Sequence, residues 1–159
     1  MVYHKILRFP LEMQKVTSKN ILRSIQMFSC GWSVLLILCK KNGYVEIFWG
    51  RRRYVPGIYE KNKTLYDLVK RVAINTVAQG TAADIMKIGM IRVHELFHAK
   101  KLDAGIVLQI HDELLITVSQ KHASYVETLV KSTLEQVVSW SIPLVITTRS
   151  GYSWKEVSK

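Results

Sequence analysis

A chain of 159 residues with 48% hydrophobic content is long enough for one domain with a real core, and it excludes general disorder. Its formal charge of +11 is concentrated in residues 1–63, which hold 12 Lys and Arg against 3 Asp and Glu, while residues 64–159 hold 11 against 9. That asymmetry points to a polyanionic partner, nucleic acid ahead of an anionic membrane surface, with a merely basic soluble protein as the plain alternative.

Residues 1–42 have no clear period, although Ile21, Leu22, Ile25 and Phe28 are spaced like one helix face. The apolar run Val34 to Cys39 is far shorter than a bilayer span and reads as a buried helix or strand, so no membrane segment is expected. Cys30 and Cys39 form neither a CxxC pair nor a disulfide framework, which predicts reduced thiols in a cytoplasmic setting and no structural zinc. Asn42-Gly43 signals a turn, and Tyr44 to Trp49 reads as a strand ended by Gly50. Arg51-Arg52-Arg53-Tyr54-Val55 follows as a second short strand or extended arm, closed at Pro56-Gly57.

From Thr64 the period becomes helical, with Leu65, Leu68, Val69 and Val72 on one face to about Asn75. Gln79-Gly80-Thr81 predicts an interruption, after which Thr81 would cap a second helix with Asp84 as its capping-box acid. Ile85, Ile88, Met90, Ile91, Val93 and Leu96 continue the apolar surface to an end near Lys100-Lys101. Gln109 to Val118 then predicts a tight hairpin of two buried strands with His111-Asp112-Glu113 at its tip. Ala123, Val126, Leu129, Val130, Leu134, Val137 and Val138 mark a further amphipathic helix, and Pro143 opens a final strand, Leu144 to Thr148. This order predicts an α+β fold with an antiparallel sheet packed against amphipathic helices.

Three clusters carry chemistry. The acidic hairpin tip suits a divalent cation, because a carboxylate on a rigid strand end can be held to the tolerance that phosphoryl transfer demands; the alternative is a turn that is merely charged. The guanidinium groups of Arg51, Arg52 and Arg53 suit bidentate phosphate contacts, or a solvated turn. Arg71, Asn75 and Gln79 recur at i, i+4 and i+8, a polar stripe whose amides can reach minor-groove acceptors, or simply a solvated helix face.

Taken together, GYVEIFWGRRRYVPGI, RVAINTVAQGTAADIMKIGMI, LQIHDELL and PLVITTRSGYSW resemble, in order and spacing, the C-terminal palm part of family A DNA polymerases of the bacterial DNA polymerase I type, over about residues 41–155. The resemblance divides the chain into a poorly matching segment 1–42 and a palm-like part 43–159. It implies that Asp112 is one of two invariant carboxylates binding catalytic magnesium, with Glu113 near the metals or the primer end in a supporting role. It further implies that His111 contacts the primer-terminal nucleotide, that Arg71, Asn75 and Gln79 bind the primer–template minor groove, and that Arg51, Arg52 and Arg53 steady the DNA backbone. The implied reaction is attack of a primer 3′-hydroxyl on the α-phosphate of a deoxynucleoside triphosphate with two magnesium ions.

The family's other aspartate lies in a DxSQIE-type motif and its triphosphate grip in an RxxxKxxxFGxxYG helix; neither motif occurs here. Smaller departures are Lys70 in place of Glu, Val77 in place of Pro and Gly89 in place of Ala. The expectation is therefore a truncated, split or frameshifted polymerase domain, inactive alone, with the missing motifs on a separate chain in the split case. A non-catalytic DNA-binding module that keeps the palm scaffold is the alternative. A metal-dependent nuclease using Asp112, Glu113 and His111 is a weaker third reading.

Overall fold

The computed structural model describes residues 4–13, 31–140 and 143–157; the helical spacing of Ile21, Leu22, Ile25 and Phe28, and the thiol of Cys30, lie outside these. Two compact units are present, one formed by Met1–Gln14 with Ile85–Lys159 and the other by Lys15–Asp84. Both antiparallel sheets and the mixed α+β class agree with the sequence expectation.

The first unit is built on a five-stranded sheet: β1 (His4–Met13), β4 (Ala104–Ile110), β5 (Glu113–Ser119), β6 (Leu144–Ile146) and β7 (Arg149–Gly151). β1, in the stretch without a readable period, is its centre. It pairs with β5 from His4↔Ser119 to Pro10↔Glu113, and its other edge takes β7 at residues 6–8 and β6 at residues 11–13. Pro10 lies opposite Glu113 on the β5 edge and between the β7 and β6 ladders on the other. Leu7, Leu114, Ile116 and Val118 pack with Ile85, Met86, Val93 and Phe97 of a long helix and with Ala123, Val126, Val130 and Leu134 of α3 (Ala123–Glu135). The 3–4 residue spacing on α3 puts its side chains on a single buried face, and Met86, Val93 and Phe97, seven and four residues apart, share one face of the long helix. A short helix, α4 (Trp154–Val157), is the last element among the described residues.

The hairpin has one buried strand rather than two. Leu114, Leu115 and Ile116 are consecutive and buried, so both faces of β5 are covered, whereas β4 is an edge strand that leaves Val107, Leu108 and Gln109 exposed. A register shift between Ile106 and Leu108 bulges β4 at Val107, a common way of twisting an edge away from further pairing. The final strand is likewise two: Thr147-Thr148 separates β6 from β7.

In the second unit, residues 31–42 are helical (α1), and the Val34–Cys39 run buries only part of itself: Leu36 and Cys39 face the core, while Ile37 is 66% exposed. Gly43 ends this helix with φ +76 and donates its N–H to the Cys39 carbonyl at 2.8 Å, a left-handed cap that glycine adopts without strain. The strand that follows, β2 (Tyr44–Glu46), stops earlier than Trp49; it pairs with β3 (Arg52–Tyr54) in the register Tyr44↔Tyr54 to Glu46↔Arg52.

The largest departure from expectation is the helix. A single α2 runs from Lys63 to Ala99, with no interruption at Gly80 and no capping role for Thr81. A Cβ at Gly80 would lie 2.9 Å from Ile47 Cγ2, so the glycine serves close approach of the β2–β3 loop rather than a helix break. Thr81 Oγ1 accepts from the Phe48 N–H, and Asp84 pairs with Arg51. The buried face in this unit is Tyr66, Val69, Ala73, Ile74 and Val77 against Leu36, Cys39, Val45, Val55 and Ile58; Leu65 and Leu68 are turned outward. α2 ends where expected, in a paired cap: Leu102 N–H bonds to Phe97 O at 3.0 Å and Lys101 N–H to His98 O at 3.1 Å, with Lys101 at φ +50.

Candidate nucleic-acid and metal-binding site

Ile110 pairs with Glu113, so only His111 and Asp112 form the hairpin turn. Two-residue turns that match strand twist require a left-handed first residue, and His111 has φ +51. For a residue with a Cβ this costs on the order of 1 kcal/mol, a cost retained where a side chain is wanted at the tip. Gln109 Nε2 donates to the His111 carbonyl at 3.0 Å and ties the turn to β4. His111 and Asp112 are exposed, whereas Glu113 is half-buried.

Glu113 is held from β1. Arg8 Nε donates to Glu113 Oε2 at 2.8 Å, Arg8 Nη2 to Glu113 Oε1, and Arg8 Nη1 to the Val157 carbonyl of α4 at 2.8 Å. Hydrogen bonding to Glu113 holds the Arg8 guanidinium above its ordinary pKa against the desolvation that lowers it; the charges of Glu113 and then Asp112 add to the effect. One hard divalent cation needs about six oxygen ligands. Here Asp112 offers one exposed carboxylate, both oxygens of Glu113 already accept from Arg8, and among the described residues no three His, Cys, Asp or Glu side chains converge. The described residues at this turn therefore do not fit a complete divalent-cation site.

The second cluster lies in the other unit. Arg71, Asn75 and Gln79 are exposed along α2 as their spacing implies, with Arg71 Nε near the Asp67 carbonyl at 3.4 Å. The three arginines are anchored at one side of their guanidinium groups. Arg51 Nη2 donates to Asp84 Oδ1 at 2.9 Å, Arg53 Nη1 to Thr76 Oγ1 at 3.0 Å, and Arg52 Nε to Glu46 Oε2 at 2.7 Å while lying over the Tyr44 ring. The Glu46 hydrogen bond raises the Arg52 pKa above its ordinary value. Thr76 adjoins Asn75, and Gly80, whose carbonyl is 3.4 Å from Arg51 Nη2, adjoins Gln79, so the arginine hairpin is docked on the helix that bears the polar stripe. All three arginines remain exposed, and a guanidinium with five N–H donors retains hydrogen-bonding capacity beyond one or two such anchors.

Sequence reasoning missed Arg8. No motif marks it; its only signal is register, because a strand running 4–13 antiparallel to β5 puts residue 8 diagonal to residue 113 on one face.

Residues 33–156 match the model of the DNA polymerase family A family. Among curated proteins, the DNA polymerase I of Deinococcus radiodurans is 41% identical over 115 residues, 72% of this chain and 12% of that protein. That of Caldicellulosiruptor bescii is 38% identical over 117 residues, 74% and 14% respectively. The chain thus spans roughly an eighth of the length of these relatives. A solved structure of the POL domain of Pol1 from M. smegmatis, in complex with DNA primer-template and dNTP, is similar with a TM-score of 0.76 at 33% identity, over 80% of this chain and 23% of that one. A match over residues 33–156, together with relatives 38% and 41% identical over 117 and 115 aligned residues, makes this chain a member of DNA polymerase family A.

Proposed function

We propose that the chain is a segment of a DNA-directed DNA polymerase that binds primer–template DNA and supplies one carboxylate of its metal-dependent phosphoryl-transfer centre. The observation that carries this reading is the exposed Asp112 carboxylate on a two-residue turn braced by Gln109 and, through Glu113, by Arg8. In the complete enzyme magnesium ions supply charge neutralisation for transfer of a deoxynucleotide to a primer 3′-end. In this chain Asp112 is a metal ligand and Glu113, held by Arg8, positions the turn. His111 meets the primer-terminal nucleotide. Arg71, Asn75 and Gln79 meet minor-groove acceptors common to correct base pairs, and Arg51, Arg52 and Arg53 meet backbone phosphates. Its place is the bacterial cytoplasm or nucleoid.

The chain alone does not extend a primer, because its sequence has neither the DxSQIE carboxylate nor the RxxxKxxxFGxxYG helix, and it behaves as a DNA-binding module on the palm scaffold. Primer extension with purified chain tests this. No incorporation in magnesium is expected, and incorporation abolished by Asp112→Ala overturns it. Binding to primer–template DNA, read by fluorescence anisotropy, is expected to weaken steeply with salt. Gln at positions 51–53 is expected to flatten that slope, and an unchanged slope counts against the phosphate contacts.

A further inference from the structure

α2 also carries His94-Glu95-Leu96-Phe97-His98, two histidines at H-E-x-x-H spacing. Residues four apart on a helix stack on one face, and the imidazole centroids are 4.5 Å apart with planes at 69°. Val93 and Phe97, at 0% and 4% exposure, fix the rotation of the helix in the core, which leaves both histidines in solvent. The paired cap at Lys101-Leu102 holds the helix end next to them. In metallohydrolases this spacing places two histidines on zinc with the glutamate as base, but such sites need a third protein ligand. Among the described residues no third His, Cys, Asp or Glu joins the pair, so a hydrolase centre is not formed.

The geometry points to His94 and His98 as a solvent-open chelate for one divalent transition-metal ion of the nickel–copper–zinc group, with water in the remaining positions. Two adjoining rings can turn one nitrogen each onto a shared ion at about 2.0–2.1 Å, a distance typical of zinc–imidazole bonds. Imidazole nitrogen selects that group of metals over magnesium, which demands oxygen ligands. The last turns of a helix also favour a cation over an anion. This site is independent of the polymerase reading, since it shares no residue with Asp112 or Glu113.

Titration calorimetry of the untagged full chain with nickel chloride, in a buffer holding millimolar magnesium, tests the assignment. One ion is expected to bind, with affinity about tenfold weaker or more in both His94→Ala and His98→Ala, since each variant turns a chelate into a single ligand. His111→Ala is expected to bind like the parent. Nickel is also expected to raise the melting temperature of the parent and not of His94→Ala, where alanine preserves the helix. Parent-like nickel affinity in either α2 variant, or displacement of nickel by magnesium, overturns the proposal.

Discussion

Arg8, on the central strand of the sheet, holds both carboxylate oxygens of Glu113, 105 residues further along the chain and next to the turn that displays Asp112. The pair is partly exposed, so its significance is geometric: a planar fork on a planar carboxylate fixes the direction in which β5 begins. Arg8→Met is expected to speed hydrogen exchange of the amides at Asp112 and Glu113 while leaving those of α3 unchanged. Glu113→Ala is expected to do the same, and the double variant to add nothing beyond either single one, as required of two residues acting through one contact. Additive effects would show that each acts separately.

Gly80 reverses the usual preference of a helix interior. Alanine there would ordinarily gain about 1 kcal/mol, but its Cβ would press on Ile47 Cγ2 at 2.9 Å. Overpacking costs about 1–3 kcal/mol, so Gly80→Ala is expected to lose on the order of 1 kcal/mol net in urea unfolding. In an Ile47→Ala background the same change is expected to stabilise. A gain in the parent background would refute close packing at this point.

Lys101 and His111 are the non-glycine residues of left-handed conformation among those described, and they are expected to respond to glycine differently. Lys101→Gly relieves the α2 cap and should gain about 1 kcal/mol with DNA affinity unchanged. His111→Gly should gain a similar amount yet weaken binding to primer–template DNA, because the imidazole is lost. Unfolding curves and anisotropy on the same samples separate the two effects.

Cys39 is fully buried, and burial pushes its thiol above the ordinary range. Folded chains therefore keep this proton at alkaline pH when unfolded chains release it. The stabilisation is complete below the ordinary thiol pKa and declines as pH rises through that value toward the raised one. Urea midpoints followed from neutral to alkaline pH are expected to fall more steeply for the parent than for Cys39→Ala. Equal slopes would contradict this.

The hairpin, the amphipathic helix α3 and the end of α2 at Lys101 were legible because each rests on local chemistry: turn residues between apolar runs, a 3–4 residue period, cations at a helix end. Gly80 was misread because close approach to Ile47 is a tertiary fact, and the same residue type serves helix breaks and tight contacts alike. β1 escaped for a related reason. Its ladders run to residues more than a hundred positions away, so nothing local marks it as a strand, and the position of Arg8 opposite the hairpin depends on the same distant register. Of the site, Asp112 could be nominated from sequence, but the occupation of Glu113 by a cation could not.

The unbroken course of α2 also bears on how this protein could be divided. One of the two places where the chain passes between the units falls between Asp84 and Ile85, well inside the helix Lys63–Ala99. A cut there would strip up to four carbonyls and four N–H groups of their intrahelical partners. Halves split at this border would each begin or end in a frayed turn, and the half holding residues 85–159 would also lose β1, the centre of its sheet.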